Sequence, residues 1–465
     1  MKNNKKLFIL LFSLLSIFIV SFGCIPNSTQ ITTTTIYNNQ DTDVSWDKNL
    51  SMYEVNIRQY SNEGTFNSFI DHISRLKKMG VGIVWFMPIH PIGVVNRKGT
   101  LGSYYAIKDY YGINPEFGNI DDFKNTVKIL HSNGMKVIID WVANHTSPDN
   151  NLTKDHPEWY VKNTDGNFIP PNGTDWTDVI QFDFSKKELR EYMINVMKYW
   201  ITEADIDGFR CDAVDWVGLD FWKECIPQLN KIKPVIMLAE SQNPDFYAAG
   251  FRITYGWDLL NKMKNIANGT ADLNIIETYI NSELTNIQKN NYRLLFTSNH
   301  DQNSWSGTVY ELFGNYCEPF AVLTYALDGI PLIYSGQEAG LNKRLQFFEK
   351  DPINWTTDKF ENIYTRLNQL KLNNEAMWNR NYDSQLKRVK TDNNNSIFII
   401  SRENNNNTVI FVFNFSNTIS KFTITESEYN GNYKDLFSET NVSFSQEQIQ
   451  SLNPYEYKVL IRISN

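Results

Sequence analysis

The residues best suited to chemistry are three carboxyl groups, each placed at the end of a short apolar run. Asp212 lies in "GFRCDAV" (208–214), Glu240 ends "VIMLAE" (235–240), and Asp301 ends "TSNHD" (297–301). Two carboxyl groups in different environments can divide the roles of acid and nucleophile between them. These three residues are therefore the candidate catalytic set.

Arg210 stands two residues before Asp212 in the same run. On a β-strand, residues i and i+2 point to the same side, so the two side chains should meet. Burying such a pair is costly unless something uses it. A nearby cation keeps a carboxylate ionised, which suits a nucleophile. Taken alone, the pair could equally be a structural ion pair.

Glu240 follows an apolar run, so burial should favour its neutral form and suit it as a proton donor. Together with an ionised Asp212, it matches the plan of glycoside hydrolysis. Asp301 could then stabilise positive charge on an oxocarbenium-like transition state. Taken singly, Glu240 could be a turn cap or the partner of a Lys, and Asp301 a helix N-cap.

The runs belong to a pattern of β-rich segments that alternate with helical stretches. The strand candidates are 52–57, 82–88, 136–142, 208–214, 235–240, 251–257, 294–299 and 331–336, and the clearest helices are 120–134 and 186–203. This alternation predicts a parallel sheet, and eight units close a (β/α)8 barrel. Because active sites of such barrels form at the C-terminal strand ends, the carboxyl groups should converge on one mouth.

Other polar and aromatic residues fall near the same strand ends. The polar ones are His90, Asp140, Asn144, His145 and His300, and the aromatic candidates for stacking on a sugar are Tyr104, Tyr105, Trp141, Trp176, Trp257 and Trp305. Taken singly, each His would more often be structural, and most of the aromatic residues would belong to the core.

Two segments depart from the alternation of strands and helices. Residues 146–182 form a long polar connection, and loops of this length in compact domains are usually functional. After about residue 385, period-two alternation with Asn-rich turns predicts an antiparallel β domain.

Residues 1–24 have the layout of an export signal: a basic start, an apolar run of about 16 residues, and Gly23–Cys24. The position of Cys24 resembles a lipoprotein processing site, although Ser21 stands where the bacterial pattern prefers Leu. An uncleaved membrane anchor is the alternative. The Thr-rich segment 25–45 is typical of a flexible stalk. The protein is therefore expected to be exported and held at the cell surface.

The composition argues against several other classes of protein. The net charge is −8 at pH 7 and there is no long run of Lys and Arg, so nucleic acid is not an expected partner. The cysteines are residues 24, 211, 225 and 317. If Cys24 carries a lipid, an odd number remains, which argues against a disulfide framework. No Cys/His spacing suggests zinc.

The motifs resemble those of the α-amylase family, glycoside hydrolase family 13. The matching blocks are "DWVANH" (140–145), "GFRCDAV", Glu240 in "VIMLAE", "TSNHD", "GIPLIYSGQE" (329–338) and the segment 102–123 after the second strand. The resemblance spans about residues 50–465. It implies an α/β fold: a (β/α)8 TIM barrel over 46–380 with an inserted B domain over 146–182, and a C-terminal antiparallel β-sandwich over 385–465.

The resemblance also implies a role for each matching residue. Asp212 would be the nucleophile, Glu240 the general acid/base and Asp301 the transition-state stabiliser of a retaining reaction. The expected substrate-binding set is Tyr105, which would stack on the sugar, His145 and His300, which would hold its hydroxyls, Arg210, which would orient Asp212, and Asp140, which would support the site.

Calcium is the cofactor that the resemblance raises. Asn144 matches a calcium-ligand position of the family. The positions that often hold Lys-His after the nucleophile are Asp215–Trp216 here, and Gln181 stands where a calcium-binding Asp often lies. A hard cation needs several oxygen ligands. Calcium at Asn144 is therefore an expectation for the structure to test, and no other cofactor is expected.

The expected function is retaining endo-hydrolysis of α-1,4-glucosidic bonds in starch, glycogen or maltodextrins by a monomer. A 4-α-glucanotransferase or a maltogenic or debranching relative is the first alternative, because water and a sugar hydroxyl compete for the same intermediate. A non-catalytic glycan-binding protein is the second. It is disfavoured, because Asp212, Glu240 and Asp301 are all present.

Overall fold

The computed structural model describes residues 45–463. The predicted signal (1–24), with Cys24, and all but the last residue of the predicted stalk (25–45) lie outside the described residues. Between residues 45 and 463, no helix is both long and apolar enough to cross a membrane.

Strands and helices alternate through the first part of the chain, and strands predominate after the last long helix. The strands are β1 Met52–Val55, β2 Ile83–Phe86, β3 Lys136–Trp141, β4 His145–Thr146, β5 Ile180–Gln181, β6 Gly208–Cys211, β7 Ile236–Ala239, β8 Ile253–Tyr255, β9 Tyr292–Leu295, β10 Ile330–Tyr334, β11 Gln385–Val389, β12 Ile397–Asn404, β13 Asn407–Asn414, β14 Ser420–Phe422, β15 Gly431–Asp435, β16 Asn441–Phe444, β17 Gln450–Leu452 and β18 Tyr457–Arg462. The helices are α1 Ile57–Tyr60, α2 Phe66–Ile70, α3 Ile73–Met79, α4 Ile120–Ser132, α5 Leu152–Asp155, α6 Lys187–Ala204, α7 Val214–Val217, α8 Leu219–Asn230, α9 Asp245–Ala248, α10 Trp257–Ala267, α11 Asn274–Asn286, α12 Val309–Phe313, α13 Cys317–Ala326 and α14 Glu361–Asn373.

Eight parallel strands close a barrel in the order β1-β2-β3-β6-β7-β8-β9-β10, which confirms the predicted fold. The observed strands are mostly shorter than predicted: 208–214 ends at Cys211, and 294–299 is replaced by Tyr292–Leu295. β6, β7 and β9 end before the three candidate catalytic carboxyl residues. Asp212, Glu240 and Asp301 therefore lie just beyond their strands, at the C-terminal mouth of the barrel.

Local sequence signals account for the placement of these elements. The side chain of Asn119 caps α4 by accepting hydrogen bonds from the amides of Asp121 and Asp122. Gly208 opens β6, where a Cβ atom would lie 1.9 Å from the carbonyl oxygen of Ile236. Only glycine allows β6 to approach β7 this closely. That approach aligns the two strand ends that carry Asp212 and Glu240.

The inserted segment and the C-terminal domain complete the fold. In the insertion, β4 pairs with β5 antiparallel, and α5 lies between these two strands in the sequence. The C-terminal domain has a six-stranded antiparallel sheet, in the order β11-β12-β13-β18-β15-β16, and a two-stranded sheet, β14-β17. The two sheets share one apolar cluster, as expected for a sandwich. The opposite face of the larger sheet packs into the main core through Phe398, Phe411 and Phe413.

Candidate active site

A cleft of about 780 Å³ opens at the C-terminal mouth of the barrel. Six residues singled out from the sequence as site residues line it: Tyr105, His145, Asp212, Glu240, His300 and Asp301. The three candidate catalytic carboxyl groups therefore share one cavity, as their positions at strand ends predict.

Arg210 links the two carboxyl groups at adjacent strand ends. Its Nη1 donates to Asp212 Oδ1 at 2.9 Å, and its Nη2 lies 2.6 Å from Glu240 Oε1. Its Nε donates to the Tyr255 hydroxyl at 3.1 Å. One planar guanidinium thus holds both carboxyl groups close together. A retaining glycosidase also requires its two carboxyl groups to lie close together.

Arg210 and Asp140 are wholly buried and do not line the cleft. Arg210 Nη1 donates to Asp140 Oδ1 at 2.8 Å. Asp140 Oδ2 accepts from Trp85 Nε1 at 3.2 Å and from the Tyr105 hydroxyl at 3.0 Å. Arg210 thus contacts Asp212, which it is expected to orient, and Asp140 contacts Arg210, where it is expected to support the site. Both can act on a ligand through the carboxyl groups that line the cleft.

Burial sets the protonation of the two carboxyl groups. Loss of solvent raises the pKa of Glu240 to about 8, against the opposing charge of Arg210. It also raises the pKa of Asp212 to about 6, again against Arg210. Burial raises the pKa of Glu240 further than that of Asp212, so Glu240 holds a proton more readily and Asp212 ionises first, as acid and nucleophile require. Arg210 contacts both groups, so its charge alone does not explain why their pKa values differ. The sequence analysis expected that charge to act on Asp212 only.

The backbone just after Asp212 makes a further contact with Glu240. The amide of Ala213 donates to Glu240 Oε2 at 2.9 Å. Ala213 has φ 45° and ψ 42°, in the left-handed region that side chains other than Gly, Asn and Asp seldom adopt. Such backbone strain costs about 1–3 kcal/mol and is found at functional sites. Here the turn directs an amide at the candidate acid.

Tyr105 and His300 form a stacked pair in the cleft. Their ring centroids lie 5.5 Å apart with 22° between the planes, and the Tyr105 hydroxyl lies 2.7 Å from His300 Nε2. The same Nε2 is 3.3 Å from Asp301 Oδ2. An aromatic face and several hydrogen-bonding groups therefore meet in one place, which suits a sugar ring and its hydroxyls.

The two other histidines at strand ends have different surroundings. His145 lines the cleft with its ring 5.8 Å from that of Trp176. Burial lowers the pKa of His145 to about 4, so at pH 7 it is neutral and can both donate and accept a hydrogen bond. His90 does not line the cleft; its ring packs against Trp141, and its Nδ1 lies 3.1 Å from the Gly112 carbonyl oxygen. His90 is therefore a core residue.

The aromatic candidates divide into lining and core residues. Tyr105, Trp176 and Trp305 line the cleft. Tyr104 and Trp141 are buried in the core instead. Trp257 stacks on Tyr255 at 5.0 Å and is not part of the lining.

Trp216 and Phe347 line the cleft, although no sequence pattern assigned them there. Trp216 lies 5.5 Å from Trp176, and Phe347 lies 5.2 Å from Trp305. The sequence held one signal for Trp216, since it replaces a polar residue of the family motif after Asp212. It held none for Phe347, which lies in the connection after β10.

The surroundings of Asn144 do not fit a calcium site. Within residues 45–463, no three His, Cys, Asp or Glu side chains are grouped so that they could hold a metal ion. Asn144 Oδ1 is buried without a hydrogen-bond partner, but Gln181 Oε1 accepts from the amide of Asn172. Calcium takes six to eight oxygen ligands, and one orphaned amide oxygen does not supply them.

Comparison with known proteins agrees with this geometry. A family model described as "Alpha amylase, catalytic domain" matches residues 30–235, and one described as "Beta-galactosidase C-terminal domain" matches residues 397–462. The chain resembles the solved structure of the maltogenic α-amylase AmyB from Thermotoga neapolitana, with a TM-score of 0.82. The two sequences are 30% identical, and the match covers 90% of this chain and 99% of the other.

Two curated relatives differ in their named activity. Alpha-amylase 3 of Dictyoglomus thermophilum is 29% identical, over 67% of this chain and 68% of its own length. A cyclomaltodextrin glucanotransferase from a Bacillus strain is 26% identical, over 59% of this chain and 43% of its own length. The match to the glucanotransferase thus spans less than half of that protein.

Proposed function

The chain belongs to the α-amylase family of glycoside hydrolases, and from this premise we propose that it hydrolyses internal α-1,4-glucosidic bonds of starch, glycogen or maltodextrins with retention. The observation that carries the proposal is the contact of Asp212 and Glu240 with one guanidinium, that of Arg210. Retaining hydrolysis needs two carboxyl groups at short separation, one protonated and one ionised.

The first step uses both groups at once. Glu240 gives its proton to the glycosidic oxygen while the Asp212 carboxylate attacks the anomeric carbon. The bond to the leaving sugar breaks and a glycosyl ester to Asp212 forms. Asp301 lines the same cavity, where its carboxyl group can face the positive charge that develops on the sugar.

The second step returns the site to its starting state. Glu240, now without its proton, takes one from a water molecule, and the resulting nucleophile cleaves the ester. Asp212 leaves as the carboxylate that Arg210 stabilises. Two displacements at one carbon give overall retention.

A chain of several glucose units is the substrate that best suits the cleft. Two aromatic pairs line it, Trp176 with Trp216 and Trp305 with Phe347. Pockets of this kind bury most of a ligand against apolar and aromatic surface. Both pairs and the three carboxyl groups line one cavity, which supports a ligand of more than one sugar.

Digestion of maltoheptaose and starch tests the proposal. We expect new reducing ends, short maltooligosaccharides from the start of the reaction, and α-anomeric products by NMR. Longer oligomers without a net gain of reducing ends would show that the enzyme catalyses transfer and not hydrolysis. β-Anomeric products would exclude retention.

Transfer to a sugar is the second candidate, and the pair Trp176–Trp216 favours it. Trp216 lies four residues after Asp212 and is exposed in the cleft. A sugar stacked there would place a hydroxyl in competition with water for the ester. Products from maltotriose and pullulan would separate a 4-α-glucanotransferase, a maltogenic enzyme and a debranching enzyme.

We also propose that the protein is exported as a monomer with a lipid on Cys24. The apolar run before Gly23–Cys24 supports export and lipidation. Mass spectrometry should find a diacylglyceryl-type or archaeol-type lipid on Cys24, and light scattering should give the mass of one chain. An unmodified, soluble mature chain would contradict the anchor.

A further inference from the structure

Glu54 contacts the cleft residue His300 from within the barrel. It lies on β1, is 0% exposed, and its Oε1 pairs with His300 Nδ1. Within the described part of the chain, its Oε2 is buried without a hydrogen-bond partner. Burying a carboxylate with so little compensation is costly. The contact with His300 is therefore the feature that must explain why a carboxylate is buried at position 54.

We propose that Glu54 is a positioning residue for the glycosidase reaction, one that keeps both ring nitrogens of His300 protonated so that Nε2 presents an N–H to the cleft. Glu54 itself does not line the cavity and acts through His300. The proposal rests on the proposed function only because the sugar at the cleavage site is what His300 would meet.

The hydrogen-bond geometry explains why both ring nitrogens of His300 carry a proton. Nδ1 of His300 faces the carboxylate of Glu54, which can only accept, so Nδ1 carries a proton. Nε2 faces Asp301 Oδ2 at 3.3 Å and the Tyr105 hydroxyl at 2.7 Å. Tyr105 has one hydroxyl proton, and it donates that proton to Asp140 Oδ2 at 3.0 Å. Nε2 therefore also faces acceptors, and a ring with an acceptor at each nitrogen is an imidazolium.

The charges around His300 favour the same state. Burial disfavours the imidazolium, but Asp301 and Glu54 outweigh it and raise the pKa of His300 to about 9, while Arg210 opposes the rise. Burial raises the pKa of Asp140 to about 6, and the charges of Arg210 and His300 oppose that rise. Glu54 is the one of these carboxyl groups in direct contact with Nδ1.

The contact with Glu54 keeps the titration of His300 apart from that of Glu240. Glu240 must be protonated to act as the acid, and its pKa is about 8. With Glu54 in place, His300 keeps its charge beyond that pH. Without the Glu54 charge and its hydrogen bond, the pKa of His300 would fall, with Asp301 left to oppose the effects of burial and of Arg210. The loss of activity at alkaline pH, the alkaline limb of the pH profile, would then follow the deprotonation of His300 instead of that of Glu240.

The variant Glu54→Gln removes the charge and keeps the shape of the side chain. We expect kcat/KM on maltoheptaose to fall below wild type at pH 7.5, by up to about tenfold, which is the limit for a His of ordinary pKa that is then about one-tenth charged. At pH 5.5 the same ratio should recover to within about twofold. A ratio that is the same at every pH would overturn the proposal.

Glu338→Gln is the matched control. Glu338 is also fully buried, but it pairs with Arg75 and Tyr53 and does not line the cleft. Its loss should lower the melting temperature without shifting the alkaline limb. A limb that moves as far as in Glu54→Gln would mean that the shift reflects general loss of packing, and would overturn the proposal.

A second measurement needs no change at Glu54. In the wild-type protein labelled with ¹⁵N-histidine, and with His300→Gln to assign the signals, both His300 nitrogens should show imidazolium shifts at pH 7.5. A neutral ring at that pH would overturn the proposal even if Glu54→Gln failed to fold. Failure of the proposed function would be seen separately, as a wild-type protein without activity on maltoheptaose.

Discussion

Arg210 and Asp140 face each other on neighbouring strands, with Arg210 Nη1 2.8 Å from Asp140 Oδ1 and both side chains wholly buried. The register between β3 and β6 pairs the two residues directly. The buried guanidinium thus contacts a carboxyl group within the barrel as well as Asp212 and Glu240 at the cleft. The pairing of β3 with β6 therefore fixes the contacts of Arg210 that hold the catalytic carboxyl groups.

Asp140→Ala should destabilise the protein by about 3–5 kcal/mol, because it leaves part of the buried Arg210 charge without its partner. Denaturation in urea measures this change, and kcat should fall with it. The matched control is Glu191→Ala, which breaks an exposed pair with Lys187 and should cost less than about 1 kcal/mol. Equal, small effects of both variants would show that the Asp140 contact contributes little.

The pH profile of kcat/KM should be bell-shaped, with limbs near pH 6 and pH 8. As the pH falls through about 6, Asp212 takes up a proton and can no longer attack. As the pH rises through about 8, Glu240 loses the proton that it must donate. The two groups interact, so the limbs belong to the pair. Activity that still rises above pH 9 would contradict the assignment of Glu240 as the acid.

Trp216→Ala should lower the ratio of transfer to hydrolysis. The change removes half of the pair with Trp176, and an aromatic contact of about 1 kcal/mol corresponds to about fivefold. The ratio is measured from the products of concentrated maltotriose. Trp305→Ala is the control, since Trp305 packs with Phe347 instead and should alter KM more than the ratio. An unchanged ratio in Trp216→Ala would exclude an acceptor site at this pair.

Chelation should leave activity and melting temperature unchanged. Asn144 offers one orphaned oxygen, and Gln181 is already in use by the amide of Asn172. An ion that bound the folded state would raise the melting temperature, by an amount that grows with the logarithm of its concentration. Activity lost on exhaustive EDTA treatment and restored by calcium would contradict the expectation.

The barrel and its candidate carboxyl groups were predictable because the relevant signals are local. Each strand candidate is a short apolar run, and its polar end follows directly in the sequence. Asp212, Glu240 and Asp301 needed only the rule that barrel sites form at strand ends. The family motifs then supplied Tyr105 and the two cleft histidines.

The remaining features depend on contacts between distant parts of the chain. Glu54 meets His300 only because the barrel closes and brings β1 near the end of β9, and a single acidic residue in an apolar run gives no hint of that partner. The burial of Arg210 depends on the register of three strands. Phe347 reaches the cleft from a connection without any motif.

The most direct test of the mechanism identifies the residue that carries the glycosyl group. A 5-fluoro-α-glucosyl fluoride slows cleavage of the ester, so the intermediate should accumulate and can be located by peptide mass mapping. We predict one glycosyl group on Asp212, and none on the corresponding peptide of Asp212→Asn. A label on Glu240 or Asp301, or turnover with inversion and no label, would contradict the assignment of Asp212 as nucleophile.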